Sequence, residues 1–365
     1  MNFTTSIILT GLAAALVSWI LVAVLIRWAP RMGLMDRPNA RSSHTRATPR
    51  GGGLGFVLVV ALAVGGALAS AGFPGSILVG DGLRRPLVIY VAAALFIAAI
   101  SLRDDFKSLS AGLRFGCQFA VAVAAVWGIG YFCLLTIPGA WTFDLGVGGA
   151  GLTVIWIVGL TNVYNFMDGI DGIAGVQGLI AGLVWAIAGA WVGAPVSSCL
   201  GMVLAGGCLG FLLHNWSPAK IFMGDVGSAF LGFSFAVLPL LFLNEAKTTS
   251  RLANAGMIPG FVLGAMWPFV GDGFNTFLRR TARGEAVWKP HRSHLYQRLV
   301  QAGWTHARVS SLYALWAVIC GGAAGWWLVG GAAAAVLAWI VSLSSLAGVF
   351  LLVKWQERKT GGKHA

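Results

Sequence analysis

The chain has 365 residues, of which 58% are hydrophobic and 10% charged; its formal net charge is +13 and its mean hydropathy +0.81. Soluble globular domains carry about one charged residue in four, so this composition excludes a soluble enzyme and implies an all-α, polytopic integral membrane protein. Its five cysteines stand singly in apolar runs, with no C-x-x-C pair and no histidine at ligand spacing, and read as small core residues.

A bilayer core is crossed by about 20 apolar residues. Apolar runs predict spans near residues 4–26, 54–72, 86–102, 115–135, 150–166, 173–193, 197–213, 226–243, 256–275, 309–327 and 330–353, about eleven in all. The first lacks a basic leader and is too long for a signal-peptide core, so it is expected to be retained. No length is left for a soluble domain, and residues 1–365 are expected to form one integral domain. Of the 25 lysines and arginines, 21 fall in segments 27–50, 103–114, 214–224, 276–308 and the tail after 353, while the alternate loops carry only Arg84, Arg85, Lys247 and Arg251. Basic loops stay cytoplasmic, so the N-terminus is expected outside and the C-terminus in the cytoplasm, as an odd number of spans requires.

The polar clusters fall on that same side. The first loop, RPNARSSHTRATPRGGGLGF, offers Arg41, Ser43, His44, Arg46 and Arg50 before Gly51–Gly53, where amides at a helix start could receive an anion. Close helix packing through small residues is the plainer role for those glycines. At the end of the third run, RDDFKS sets Asp104 beside Asp105, with Arg103 and Lys107 around them. Adjacent carboxylates repel, so a cation between them or a retained proton is expected; an ordinary charged membrane-edge cap is the alternative.

In mid-chain, NVYNFMDGIDGIAG places Asn162, Asn165, Asp168 and Asp171 between long apolar runs. Asn165, Asp168 and Asp171 are spaced by three and share a face on helical backbone. A carboxylate at mid-bilayer costs about 2.5–3.5 kcal/mol on insertion scales, so the pair belongs at a membrane face or in a watered cavity. A polar turn punctuated by Gly169 and Gly172 is the bland reading. KIFMGDVGSAF then sets Asp225 beside Gly224 and Gly227 at the eighth run's start. That leaves room for a cation of the Mg²⁺ type, which is usually held by one or two carboxylates plus phosphate oxygens. Phe222 could offer a flat face to a base.

Asp272 closes the ninth run, followed by Arg279, Arg280 and Arg283. KPHRSHLYQR then supplies His291, Arg292, His294 and Arg298, a set that could clamp a diphosphate or simply attract anionic lipid. Together, the carboxylates imply Mg²⁺ and the cations imply phosphate. Confinement of both to one face suits an enzyme fed from the cytosol. A transporter or flippase of an anionic lipid-linked substrate, the alternative, is expected to bind near mid-span.

Three of these segments, in order and across nearly the whole chain, resemble the polyprenyl-phosphate N-acetylhexosamine-1-phosphate transferases, glycosyltransferase family 4. NVYNFMDGIDGIAG is similar to that family's NxxNxxDGIDGLA signature, KIFMGDVGSAFLGF to FMGDxGS, and RDDFKS to its Asp-Asp segment. The resemblance implies transfer of a sugar-1-phosphate from a UDP-N-acetylhexosamine to undecaprenyl phosphate with release of UMP. It also implies Mg²⁺, with Mn²⁺ as a substitute, and a place in the bacterial inner membrane. It implies Asp225 and Asp171 at the metal, Asp104 deprotonating or positioning the lipid phosphate with help from Asp105, and Asp168 and His294 in catalysis. Asn162, Asn165, Asp168 and Asp171 would line the nucleotide pocket, Phe222 would lie against uracil, and Lys107, Arg46, His291 and Arg292 would complete the binding set. The chain departs from the pattern in its last cytoplasmic loop. His294 matches the first histidine of a HIHH segment, while Tyr296 and Gln297 stand where later histidines are found. HRSHLYQ resembles the O-antigen-initiating branch, with N-acetylglucosamine, N-acetylfucosamine or N-acetylquinovosamine phosphate as cargo, and muramoyl-pentapeptide is the least expected substrate. No nucleic-acid polymer is expected as a partner, and a homodimer is compatible with the pattern.

Overall fold

The computed structural model describes residues 2–36, 47–70, 81–246, 255–286 and 291–361, and 80% of these described residues are helical. In chain order the elements are α1 (Phe3–Met32), β1 (Met35–Asp36), β2 (Thr48–Pro49), α2 (Leu54–Ser70), α3 (Asp81–Phe106), α4 (Ala111–Gly128), β3 (Leu134–Thr136), β4 (Thr142–Asp144) and α5 (Gly148–Met167). There follow α6 (Ile173–Val192), α7 (Pro195–Asn215), α8 (Asp225–Ala246), α9 (Ile258–Ala265), α10 (Trp267–Ala282), α11 (Leu295–Gln301) and α12 (His306–Lys359). The strands form two short antiparallel ladders, β1 with β2 and β3 with β4.

Helix ends follow their local chemistry. The Asn2 side chain accepts from Thr5 N at 2.8 Å to start α1, which stops at Gly33 in the left-handed region, φ 74°. Ser110 caps α4 and Thr305 caps α12 in the same way. The centre of the molecule is α8, whose sequence is apolar on every side; 19 of its 22 residues are buried. Flanking it are α3 and α5, while α1 lies along α7 and α7 along α6. Small residues set those distances: a Cβ added to Gly206 or Gly210 of α7 would come within 2.2 Å of the α1 carbonyls of Gly11 or Ala15. At the far end of α8, buried Glu245 accepts from Val196 N and Ser197 N, at 2.7 and 2.9 Å, and so caps α7.

Every predicted span has a helix beneath it. Among the described residues eight helices are long and apolar enough to cross a membrane: α1, α3 to α8 and α12. The remaining differences have local causes. With 17 residues, α2 is short. The expected span 256–275 is broken at Met266 between α9 and α10, and Gln177 of α6 donates to the Ala265 carbonyl at the break, at 3.0 Å. Residues 309–353, expected as two spans, run as one element with a break at Gly331, φ 69° and ψ −157°. The eight thus stand against the eleven expected, the difference lying in α2, in the α9–α10 pair and in the undivided α12.

Candidate active site

The ends of α3, α5 and α7, the middle of α10, the starts of α4, α6, α8 and α12, and all of α11 meet at one end of the bundle, where they gather the polar side chains. Asp105, in the last turn of α3, is 4% exposed. Its two oxygens accept from Asp225 N at 3.1 Å and Val226 N at 3.0 Å, the amides that open α8. A carboxylate there satisfies orphan donors and complements the helix dipole. Arg50 Nη1 lies 3.9 Å from Asp105 Oδ1. The neighbouring Asp104 turns elsewhere, accepting from Leu109 N at 2.5 Å and from Arg114 Nη1 at 2.8 Å. The same Arg114 nitrogen is 3.6 Å from Asp225 Oδ2. Each of the adjacent carboxylates therefore has its own cation, which relieves the repulsion expected from their proximity in sequence.

Asp225 is the open member of the group: its side chain is 39% exposed, against 9% for Asp104 and 3% for Asp105. The Asn165 amide, from the last turn of α5, braces it by donating to Asp225 Oδ1 at 3.0 Å and to Ser228 Oγ at 2.9 Å. One turn earlier, Asn162 donates instead to Gln118 Oε1 of α4 at 2.6 Å and to the Val158 carbonyl. Asp168 caps the end of α5, and among the described residues no donor reaches its carboxylate. Burial pushes this carboxyl up to about 8, with further lift from the charges of Asp225, Asp105 and Asp171.

Asp171 faces another way. Its Oδ2 accepts from Ala219 N at 3.2 Å and lies 3.3 Å from His306 Nδ1 at the start of α12. Burial raises this carboxyl, but the His306 ring, the Ala219 amide and the Ser217 hydroxyl outweigh that effect and leave it below the ordinary value. Ser310 Oγ donates to the Asp171 carbonyl and Gly172 N to Asn215 Oδ1, at 2.7 and 2.9 Å. The DGID loop is thus tied to α7 and α12 through Asp171, while Asp168 is left free toward Asp225.

The first loop does not present the anion cradle that its glycines suggested. Gly52 N and Gly53 N donate to the Phe222 and Met223 carbonyls, both at 2.9 Å, and Phe222 N donates to the Pro49 carbonyl. Those amides hold the FMGD turn in place and are not available to phosphate. Gly224, at φ 76°, completes the turn; a Cβ there would sit 2.9 Å from Asp105 Oδ2. Half-buried Phe222 lies beside this turn, Lys107 is exposed after α3, and Arg46, with Arg41, Ser43 and His44, lies outside the described residues.

The histidine loop closes the site from α10, α11 and α12. Buried His294 starts α11 with its Nδ1 3.4 Å from Asp272 Oδ1, its ring stacked on Tyr296 at 5.7 Å and 4.9 Å from the His291 ring. Tyr296 Oη donates to the Phe166 carbonyl at 3.2 Å, and a Cβ on Gly169 would meet that oxygen. Gln297 Oε1 accepts from His294 N. Both residues that replace histidines are therefore committed to internal contacts. Arg292 is exposed at the loop's rim.

Among the described residues no three His, Cys, Asp or Glu side chains converge as a metal cage. The donor chemistry still fits Mg²⁺, which needs only one or two carboxylates when phosphate oxygens and water supply the rest. Asp225, open and braced, and Asp168, without a donor, are the suitable pair, whereas Asp171 is already engaged. Sequence reasoning missed Arg114, Ser228, His306 and Gln118. Only Arg114 gave a signal, as a lone cation at the start of an apolar run.

Residues 87–243 match the model of glycosyl transferase family 4. The chain is 31% identical over 337 residues to the probable undecaprenyl-phosphate N-acetylglucosaminyl 1-phosphate transferase of Bacillus subtilis (strain 168), covering 88% of this chain and 86% of that one. It is 34% identical over 344 residues to the decaprenyl-phosphate N-acetylglucosaminephosphotransferase of Mycolicibacterium smegmatis (strain ATCC 700084 / mc(2)155), covering 87% and 81%. Phospho-N-acetylmuramoyl-pentapeptide-transferase of Synechococcus sp. (strain JA-3-3Ab) is 31% identical over 337 residues, covering 87% and 90%.

Proposed function

The chain belongs to glycosyl transferase family 4, with the polyprenyl-phosphate N-acetylglucosamine-1-phosphate transferases, and we propose that it takes a UDP-N-acetylhexosamine as donor and undecaprenyl phosphate as acceptor. The sugar is of the N-acetylglucosamine, N-acetylfucosamine or N-acetylquinovosamine type, and the product starts a cell-surface polysaccharide such as O-antigen. The enzyme lies in the bacterial inner membrane with its site toward the cytoplasm and its N-terminus outside. The observation that carries this reading is the meeting of Asp225, Asp168, Asn165 and Arg114 at one end of the bundle, where a lipid headgroup and a soluble nucleotide can both arrive.

In the reaction, an oxygen of the lipid phosphate attacks the phosphorus that bears the sugar. The bond from that phosphorus to the UMP oxygen breaks, and UMP leaves with the electron pair. A phosphate monoester has its second pKa near 6, so at neutral pH the attacking group is mostly dianionic and no base is obligatory. What the protein must supply is alignment and neutralisation of charge. Arg114, set between Asp104 and Asp225, places a cation where the phosphates meet. Asn165 and Ser228 fix the rotamer of Asp225, and Asp105 fixes the helix start that carries it. Asp225 and Asp168 would hold Mg²⁺, which when bound supplies Lewis-acid stabilisation of the phosphoryl oxygens. Asp104, held by Leu109 N and Arg114, acts here as a positioning group, and Asp171 anchors its loop.

The test is release of UMP by the purified protein in detergent, with undecaprenyl phosphate, Mg²⁺ and a panel of UDP-N-acetylhexosamines, with and without chelator. Release that needs lipid and cation together is the expected result, and the panel names the sugar. Release without lipid, or none with any donor from folded and lipid-supplied protein, would overturn the proposal.

A further inference from the structure

His294 and Asp272 make a pair whose geometry exceeds what packing alone requires. Asp272 is fully buried, and its oxygens accept from Leu295 N at 2.8 Å, Tyr296 N at 3.3 Å, the Thr276 hydroxyl at 3.1 Å and the Tyr313 hydroxyl at 2.6 Å. Four donors from α10, α11 and α12 leave this carboxylate one orientation. His294 is 6% exposed; as the first residue of a capping box its side chain also faces the Gln297 N–H, and its buried Nδ1 makes no well-formed hydrogen bond among the described residues. The acceptor facing that nitrogen is Asp272 Oδ1, at 3.4 Å. Hydrogen bonds of catalytic groups are often long before substrate binds and shorten in the complex.

We propose that Asp272 is a positioning residue: it keeps the proton on His294 Nδ1 and holds the ring so that Nε2 is the nitrogen presented to the substrate's phosphate oxygens. A histidine's free nitrogen is set by the bond its other nitrogen makes, and a carboxylate partner selects the Nδ1–H form. Tyr296 and His291 wall the ring, so the pair fixes both its tautomer and its plane. Nε2 then accepts a hydrogen bond when the ring is neutral and donates one when it is charged. The inference rests on the phosphotransferase reading for the substrate that Nε2 meets, and on the geometry alone for the tautomer.

The experiment has two arms. In ¹⁵N-histidine-labelled full-length enzyme in detergent, with His294→Gln identifying the signal, the wild-type ring should carry its proton on Nδ1. Removal of the carboxylate in Asp272→Ala should shift the ring to the Nε2–H form. In the UMP assay, Asp272→Ala should lower kcat about 10- to 100-fold with less than about threefold change in donor KM, as for loss of a partner that orients a histidine. Asp272→Asn, whose amide can turn its NH₂ toward Nδ1, should likewise shift the ring toward the Nε2–H form and lose kcat to a similar extent although the side-chain shape is kept. A wild-type ring protonated only on Nε2 overturns the proposal. So does an Asp272→Ala variant that loses kcat while its ring keeps the Nδ1–H form, because the role is then structural. If Asp272→Ala does not fold, the wild-type signal and the Asp272→Asn kinetics still decide. A protein without transferase activity fails the functional reading, while the tautomer remains readable.

Discussion

Asp168 shows how one residue's surroundings set the chemistry of this site. It lies three residues from Asp171, yet the two carboxyls are pushed in opposite directions: Asp168 up to about 8, by burial and by its acidic neighbours, and Asp171 down, chiefly by His306 against the effect of burial. An unfolded aspartate titrates near 3.9. Because folding raises the Asp168 value, its contribution to stability is full below about pH 4 and is lost as pH rises toward 8. In chelator, the apparent unfolding temperature of the wild type should therefore fall across that window, and Asp168→Asn should flatten the fall. Mg²⁺ should raise the wild-type value more at pH 8 than at pH 6, because the cation competes with the proton. A wild-type curve that is flat or rising in chelator, or one that Asp168→Asn leaves unchanged, contradicts the electrostatic account. Both aspartates were visible in sequence as a pair at helical spacing. Their division of labour was not, because it depends on Ala219 and His306, 48 and 135 residues away.

Among the elements, the contact of greatest consequence is that between the start of α2 and the start of α8. A Cβ on Gly53 would lie 2.2 Å from the Cα of Gly227, and a Cβ on Gly227 2.7 Å from the Cα of Gly53. Backbone cannot yield there without moving the turn that carries Asp225. Overpacking costs about 1–3 kcal/mol or more, so Gly53→Ala should lower both the unfolding temperature and the transfer rate. Gly65→Ala, inside α2 but facing open space, should lower neither. Equal behaviour of the two variants would sink this assignment, and thermal unfolding in detergent reads it directly. The helices themselves were legible, since apolar runs of about 20 residues leave little choice of structure. The triple glycine was legible only as small residues before a span. That its amides serve the FMGD turn depends on carbonyls 170 positions away at Phe222 and Met223. The break at Met266, by contrast, has its signal in sequence, since Pro268 two residues on cannot donate to the Gly264 carbonyl; what the sequence hides is that Gln177 on another helix takes up the Ala265 carbonyl there.

For the molecule as a whole, membrane and chemistry are reconciled by separating them along the bundle axis. Apolar α8 fills the centre, and the ionisable groups that act on phosphate gather at its N-terminal end. The family and the one-ended polar site could be read from three short motifs in order. The clamp could not, because Arg114 has no motif of its own and acquires meaning only from the 2.8 and 3.6 Å approaches to Asp104 and Asp225. Since the account centres on Asp225, the most direct measurement is UMP release by Asp225→Ala beside the wild type, at saturating Mg²⁺ and lipid phosphate and with folding checked by thermal unfolding. It predicts a folded variant with turnover reduced by about 100-fold or more, the scale of losing a principal electrostatic stabiliser. Turnover at the wild-type rate from that variant would contradict it.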